Sequence, residues 1–303
     1  KSALVRVVAD EASKSQDDSE FWQRYRPYLD DMQKVAAHLL PPTQEEMVRI
    51  MQENGSHAWQ VLRNQLDVVT GVDVALPSEG LRYLTLSELH GFATHPDAQV
   101  RDAAFRAELA CYPTWELPMA ACLNGIKGEG IHLAQLRGFD SVLDAMLHEN
   151  RMDRPTLTAM MAAVRHHLPL FREYIKKKAT LLGYSSGLPY RDLLAPVGID
   201  VHCYSYYGAQ SLLEDIFTDV DPEMGTLCRR HFNENWVDAK PRIGKFGGAL
   251  CADLPAQGQS RILTNYSGGF RDVRTLAHEL GHAFHGANLQ AVPYAFRDAP
   301  TPI

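Results

Sequence analysis

The sequence predicts a mainly α-helical protein in which a small β-sheet lies next to one helix that carries the chemistry. Apolar residues recur at helical spacing over most of the first two-thirds of the chain. Glycines concentrate after residue 240, around two short strand-like runs. An unbroken apolar run then contains residues 278–282, which read His-Glu-Leu-Gly-His. The glycine-rich part predicts the sheet, and the run after it predicts the functional helix.

Capping residues and prolines mark the ends of the first helices. Residues 43–46 and 85–88 have the spacing of a capping box, in which a threonine and a glutamate three residues later bond to each other's backbone N–H groups. Apolar residues repeat at helical spacing over residues 100–111. We expect Pro113 to end that helix, because an interior proline removes a backbone hydrogen bond.

The longest predicted helix begins at Pro155 and ends at about Leu182. Pro169 lies inside it and predicts a kink or a break. Gly183 is suited to the left-handed backbone that closes many helices. Residues 185–210 contain several prolines and tyrosines and are expected to form a loop region.

The predicted sheet uses residues 249–251 and 261–266 as strands. A strand that leads into the helix with residues 278–282 fixes one wall of a cleft. The free edge of such a sheet can bind an extended peptide as an added strand.

Composition excludes several classes of function. The 303 residues are 45% apolar, enough for a substantial core in one large domain or two ordinary ones. The net charge of -7 supplies no basic stripe, so we expect no nucleic-acid partner. Five cysteines without a CxxC pair favour neither a disulfide framework nor a cysteine zinc site, and they fit the reducing cytoplasm. No apolar stretch approaches the roughly 18 residues that span a bilayer, so no membrane association is expected.

The motif at residues 278–282 predicts a zinc site. His278 and His282 are four residues apart, so they share one face of a helix and can offer two imidazoles to one metal ion. Glu279 lies one residue on, where its carboxylate can accept a proton from a metal-bound water. The flanking residues are uncharged, as a buried active-site helix requires. The alternative that these residues alone leave open is an ordinary helix with two surface histidines.

A third protein ligand is not evident. Catalytic zinc takes three protein ligands, and the motif supplies two. The only acidic residue after His282 is Asp298, in a proline-flanked stretch expected to be a loop. His285 lies on the same helix, where a third imidazole can hardly complete the tetrahedron, so we expect it to line the cleft and contact substrate.

Residues 270–285 resemble the active-site helix of the oligoendopeptidase F family, within the thimet-oligopeptidase superfamily of zinc peptidases. Residues 244–249 are similar to the glycine-rich strand of that family, and residues 190–196 to its Asp-containing loop. Asn124, residues 138–141 and residues 150–152 resemble its helical region. The resemblance covers nearly the entire chain and is most specific from residue 244 to residue 285.

The resemblance implies a multi-helical zincin with a thermolysin-like active-site core and a deep channel that admits short unstructured peptides. It implies that His278 and His282 bind one Zn²⁺ and that Glu279 is the general base. Gly248 and Ala249 would belong to an edge strand that hydrogen-bonds the peptide backbone, which suits residues with little side chain. A simple turn at these glycines is the alternative.

The same resemblance predicts two regions. Residues 1–185 would form a helical wall of the channel, and residues 186–303 a partial catalytic region with the sheet and the motif helix, truncated at its C-terminal end. The family's third ligand is a glutamate on a later helix, expected beyond Ile303, so the remainder of a longer polypeptide is an expected partner. The alternative function is a non-catalytic peptide-binding fragment or homologue that lacks this ligand.

Overall fold

The computed structural model describes residues 2–14, 20–77, 80–198, 203–242, 244–245 and 247–297. Within these ranges the helices are α1 (Ser2–Lys14), α2 (Glu20–Ala37), α3 (Pro42–Asn54), α4 (Ser56–Val69), α5 (Leu86–Gly91), α6 (Ala98–Leu136), α7 (Val142–Glu149), α8 (Arg154–Leu181), α9 (Tyr206–Val220), α10 (Pro222–Asn233) and α11 (Phe270–Asn288). The strands are β1 (Gly71–Leu76), β2 (Gly80–Thr85), β3 (Val237–Asp238), β4 (Leu250–Leu254) and β5 (Gln259–Leu263). The predicted mainly α-helical class with a small sheet is confirmed.

The chain divides into two compact units. The first draws on Lys1–Arg63, Leu117–His166 and Pro293–Ile303, and the second on Asn64–Glu116 and His167–Val292. The motif helix and both sheets lie in the second unit. The boundary between two regions that we predicted after residue 185 stays a prediction. The same holds for the role of residues 1–185 as a wall of a channel.

The sheet beside α11 has the strand order β3-β5-β4. β3 pairs with β5 in parallel, and β4 pairs with β5 antiparallel with Cys251 opposite Ile262. Ile262 joins residues of α9, α10 and α11 in one hydrophobic core, where Leu276 and Leu280 are fully buried. Both predicted strands are therefore present, although they cover residues 250–254 and 259–263 rather than 249–251 and 261–266.

A second, two-stranded sheet was not predicted. β1 and β2 form an antiparallel hairpin whose Val74, Leu76 and Leu84 are buried in a core with residues of α5 and α6. The sequence signal was the alternation of apolar Val72, polar Asp73 and apolar Val74, which is typical of a strand.

The two predicted capping boxes have different outcomes. Thr85 caps α5, since its hydroxyl accepts the N–H of Glu88 while the Glu88 carboxylate accepts the N–H of Thr85 at 2.8 Å. The box predicted at residues 43–46 is wrong. α3 begins at Pro42, whose fixed backbone angle suits the first helical position, and the Glu45 carboxylate instead accepts the N–H of Leu40 at 2.9 Å.

Pro113 does not end a helix. α6 continues through it to Leu136, so α6, at 39 residues, is also longer than α8, at 28. A proline within a helix removes one backbone bond and costs about 3 kcal/mol. Cys111 and Cys122, on either side of Pro113 in the same helix, are both buried.

The ends of α8 agree with the sequence. The break predicted at Pro169 is wrong, because the helix runs through this residue, and Gly183 follows the helix with φ +83°. The N–H of Tyr184 bonds to the carbonyl of Ala179 at 2.9 Å, which closes the helix. The loop prediction for residues 185–210 is wrong over its last residues, because Tyr206 begins α9 and the Ser205 hydroxyl caps it through the N–H of Gly208 at 3.0 Å. Residues 199–202 lie outside the described ranges.

Gly225 on α10 marks a close approach to α9. A Cβ there would lie 2.1 Å from Thr218 Oγ1 and 2.8 Å from Thr218 Cα. Gly225→Ala is therefore expected to lower the free energy of unfolding by about 1–3 kcal/mol, because the helices must separate. Gly130→Ala is the control: nothing lies within 4 Å of that Cβ, so it should not destabilise. Urea denaturation of both variants tests this, and equal midpoints would contradict it.

Candidate metal centre on helix α11

The start of α11 is held by Asp272. One oxygen of its carboxylate accepts the N–H of Gly269 at 3.2 Å and both the N–H and the hydroxyl of Ser267, at 2.9 and 2.7 Å. A carboxylate in the first helical turn also interacts favourably with the helix dipole. The backbone that leads into the motif is thereby fixed.

One face of α11 is buried and another is exposed. Val273, Leu276, Leu280 and Ala283 pack into the core and anchor the helix against the sheet. The three histidines of the helix, His278, His282 and His285, are all exposed. Helical spacing thus presents both motif imidazoles away from the core.

The two motif histidines bring their Nε2 atoms close together. Their Nε2 atoms are 3.0 Å apart, and the rings are nearly perpendicular with centroids 4.6 Å apart. Two nitrogens that bind one tetrahedral zinc ion at about 2.05 Å would be roughly 3.3 Å apart. The observed separation is close to that value, so this pair fits two of the ligands of one zinc ion.

Glu279 directly follows His278 in the chain and is only 6% exposed, whereas the two histidines are exposed. Cys251 on β4 is close enough to be affected by its charge. Burial raises the pKa of the Cys251 thiol to about 11, with further increases from the charges of Asp253 and Glu279. Cys251 is therefore a neutral thiol near neutral pH.

α11 approaches β4 closely at Gly286. A Cβ there would be 2.4 Å from Asp253 Oδ1, so only glycine lets the carboxylate lie against the helix. This contact fixes the distance between the motif helix and the edge strand. It also involves the turn of α11 that carries His285, whose predicted place in the cleft stays a prediction.

No third metal ligand is found in the described part of the chain. Among those residues, no group of three or more His, Cys, Asp or Glu side chains is arranged to hold a metal ion. Asp298 lies outside the described residues. The third ligand expected beyond Ile303 stays a prediction.

Gly248 and Ala249 directly precede β4, which begins at Leu250. Gly248 has φ +83°, a turn conformation, and its carbonyl accepts a hydrogen bond from the Asn265 amide at 3.1 Å. β4 is an edge strand, because in the described residues only β5 pairs with it. The outer backbone groups of β4 therefore have the geometry to bind an extended peptide, and the binding roles of Gly248 and Ala249 stay predictions.

Two buried charged groups were not predicted from the sequence. Lys245 has a side chain only 1% exposed, and Asp192, within the segment resembling a family loop, is fully buried. The only sequence signal for Lys245 was a cation among glycines. Asp192 meets Arg101, 91 residues earlier, a pairing that no local pattern encodes.

No described helix is both long enough and apolar enough to cross a membrane.

Comparison with protein families gives two matches. The family model for Peptidase family M3 matches residues 217–294, which include the motif helix, and the model for Oligopeptidase F matches residues 4–68.

Curated relatives match most of the chain. An oligoendopeptidase F homolog of Lactococcus lactis subsp. lactis is 24% identical over 91% of this chain and 48% of its own length. Oligopeptidase PepF of Bacillus subtilis is 23% identical over 88% of this chain and 40% of its own length. The chain therefore spans about half the length of these relatives or less.

Solved structures share the fold. A candidate oligoendopeptidase F of Bacillus anthracis superposes with a TM-score of 0.77 at 17% identity, covering 94% of this chain and 52% of that one. Oligoendopeptidase-F of Enterococcus faecium superposes with a TM-score of 0.54 at 20% identity, covering 78% and 45%.

Proposed function

We propose that this chain belongs to the oligoendopeptidase F family and carries the metal-binding and base-bearing part of an endopeptidase that hydrolyses short unstructured peptides. The observation that supports this most directly is the pair of Nε2 atoms 3.0 Å apart, with the buried Glu279 next to His278. The pair explains why two histidines occupy the exposed face of a helix that is otherwise anchored in the core.

His278 and His282 would hold a single Zn²⁺ through their Nε2 atoms. When bound, the ion supplies a Lewis acid that polarises the scissile carbonyl and makes a water molecule acidic near neutral pH. Glu279 would act as general base, taking a proton from the attacking water and passing it to the leaving amine. The outer edge of β4 holds the peptide backbone, and Gly248, Ala249 and His285 contact the substrate.

A third ligand and a longer polypeptide belong to the same proposal. Catalytic zinc takes three protein ligands, and the resemblance to the family implies that the third is a glutamate beyond Ile303, with the remainder of the polypeptide as partner. We also propose that the protein has no nucleic-acid or membrane partner and that it is cytoplasmic. All five cysteines are free, in keeping with a reducing compartment.

A second candidate is a non-catalytic peptide-binding module. It is favoured by the absence, in the described residues, of three side chains arranged to hold a metal. The two candidates differ in metal content: the enzyme binds about one zinc per chain and hydrolyses peptide, whereas the module binds peptide without zinc.

Metal removal is expected to abolish hydrolysis. The natural polypeptide would be assayed on a quenched fluorescent oligopeptide before chelation, after chelation and after zinc is added back, with zinc measured by mass spectrometry. We expect turnover to fall to background and to return with zinc.

His278→Ala should lower zinc content, and His57→Ala, which removes an exposed histidine of the first unit, should not. Hydrolysis that survives complete zinc removal would overturn the metal mechanism. Peptide binding with no zinc in the purified protein would favour the module.

A further inference from the structure

The ammonium group of Lys245 is enclosed by four oxygen atoms. It donates to the backbone carbonyls of Asp238, Lys240 and Thr264, at 2.9, 3.0 and 2.6 Å, and to Asp238 Oδ1 at 3.1 Å. Its three N–H donors thus serve four acceptors. A lysine this deeply buried is rare unless it is paired, which points to a specific structural task.

The buried charge is balanced by Asp238. Burial lowers the pKa of Lys245, while the hydrogen bond and the charge of Asp238 act in the opposite direction. Hydrogen bonds from Arg242, two contacts of 2.8 Å, together with those from Lys245 hold the pKa of Asp238 at about 2. Asp238 is therefore ionised at neutral pH and pairs with the ammonium group.

These contacts tie the segment before β4 to the rest of its sheet. Asp238 ends β3, and Thr264 directly follows β5, where its N–H bonds to the Asp238 carbonyl at 3.0 Å. Asn265, the next residue, holds the Gly248 carbonyl. Lys245 and Gly248 are thus fastened to adjacent residues, and together they set where β4 begins.

We propose that Lys245 is a positioning residue for peptide binding: its ammonium group fixes the backbone at Gly244–Lys245 and helps to hold residues 247–249, so that the outer edge of β4 is preformed for an extended oligopeptide. This inference rests on the proposed peptidase function. Gly244 and Gly248 both have φ +83°, a turn conformation, and the contacts of Lys245 and Gly248 join these turns to the ends of β3 and β5. A strand that is ordered before binding avoids the entropy cost of ordering it with each substrate.

In this proposal the ammonium group of Lys245 does not contact the reacting atoms. Its loss should weaken substrate binding and leave the chemistry of His278, Glu279 and His282 nearly unchanged. A merely stabilising role would instead lower the amount of folded enzyme, and so lower kcat per mole of chain without changing KM.

The test compares Lys245→Met with Lys240→Met in the natural polypeptide, using the quenched oligopeptide as substrate. Lys240 is an exposed lysine of the same turn whose carbonyl, not its ammonium group, meets Lys245. We expect Lys245→Met to raise KM by roughly tenfold or more with kcat within about twofold of wild type and zinc content unchanged. Lys240→Met should match wild type in all three.

Asn265→Ala is the second variant, should Lys245→Met fail to fold. It removes the surface hydrogen bond to Gly248 and should raise KM in the same direction by about threefold. A wild-type KM in both variants overturns the positioning role but leaves the proposed peptidase function in place. If Lys245→Met does not fold, a wild-type KM in Asn265→Ala alone has the same meaning.

If the wild-type protein does not hydrolyse the peptide in this assay, that result overturns the proposed function instead. In that case, binding of a peptide with a reduced scissile bond decides the inference. If Lys245→Met folds, a higher Kd in that variant supports the inference and an unchanged Kd overturns it. If Lys245→Met does not fold, the Kd of Asn265→Ala decides the inference in the same way.

Discussion

Glu279→Gln is expected to abolish peptide hydrolysis while the protein keeps its metal and its fold. Glutamine has nearly the shape of glutamate and can keep its place in the buried site, where Glu279 is 6% exposed. It cannot accept a proton from water, so the general-base contribution, about 10²–10⁴-fold in rate, is lost. His278 and His282 are untouched, and zinc content should stay at the wild-type value.

The measurement is kcat for a quenched oligopeptide, with zinc content and the thermal midpoint determined on the same preparation. Glu223→Gln is a matched control, because it removes an exposed carboxylate from α10 in the same unit. Turnover by Glu279→Gln within tenfold of wild type would show that another group accepts the proton. Loss of zinc from Glu279→Gln alone would assign it a role in holding the ion.

Asp192→Ala is expected to have the largest effect on stability. Asp192 is fully buried, and its carboxylate accepts hydrogen bonds from Arg101 Nε at 2.7 Å and from the Tyr184 hydroxyl. Arg101 is also buried and donates to the carbonyls of His95 and Pro96. Removal of the carboxylate leaves a buried guanidinium without its counter-charge, a change that costs about 3–5 kcal/mol in comparable pairs.

Urea denaturation of the natural polypeptide measures this effect as a shift in the unfolding midpoint. Asp102→Ala is the control, because Asp102 pairs with Arg106 and Arg191 near the surface and should contribute less than about 1 kcal/mol. A loss in Asp192→Ala no greater than the loss in Asp102→Ala would show that the buried pair contributes little.

The Asp192 cluster also predicts the direction of acid sensitivity. Burial opposes ionisation of Asp192, but hydrogen bonds from Tyr184 and Arg101, with the charges of Arg101 and Arg191, hold its pKa below the ordinary value. Its contribution to stability is therefore complete above the unfolded-state pKa of about 3.9 and is lost as the pH falls through the lower, folded-state pKa. The difference in unfolding free energy between wild type and Asp192→Ala should narrow over that acid range.

Features that depend on neighbours along the chain were predictable from sequence. The spacing of His278 and His282 places them on one helical face, and the structure has them on one exposed face of α11. The cap at Thr85 and the end of α8 at Gly183 also follow from residues within a few positions of each other. Local patterns succeed here because the partners that satisfy the backbone are themselves local.

The errors arose where burial outweighed a local preference. Pro113 opposes a helix, but side chains on both sides of it are buried, and α6 continues. The β1–β2 hairpin was missed because its short alternating runs lie among strong helical signals, and its burial depends on packing against α5 and α6. Tertiary packing routinely overrides a propensity of this size.

By itself the sequence determined that two imidazoles share one face of a helix, with a carboxylate at the residue that follows the first of them. Only the tertiary structure decided which charges are buried and what faces them. Arg101 and Asp192 are 91 residues apart, and Lys245 reaches Thr264 across 19. A buried charge is tolerated only where the fold supplies its partners, and those partners come from segments that no local spacing connects.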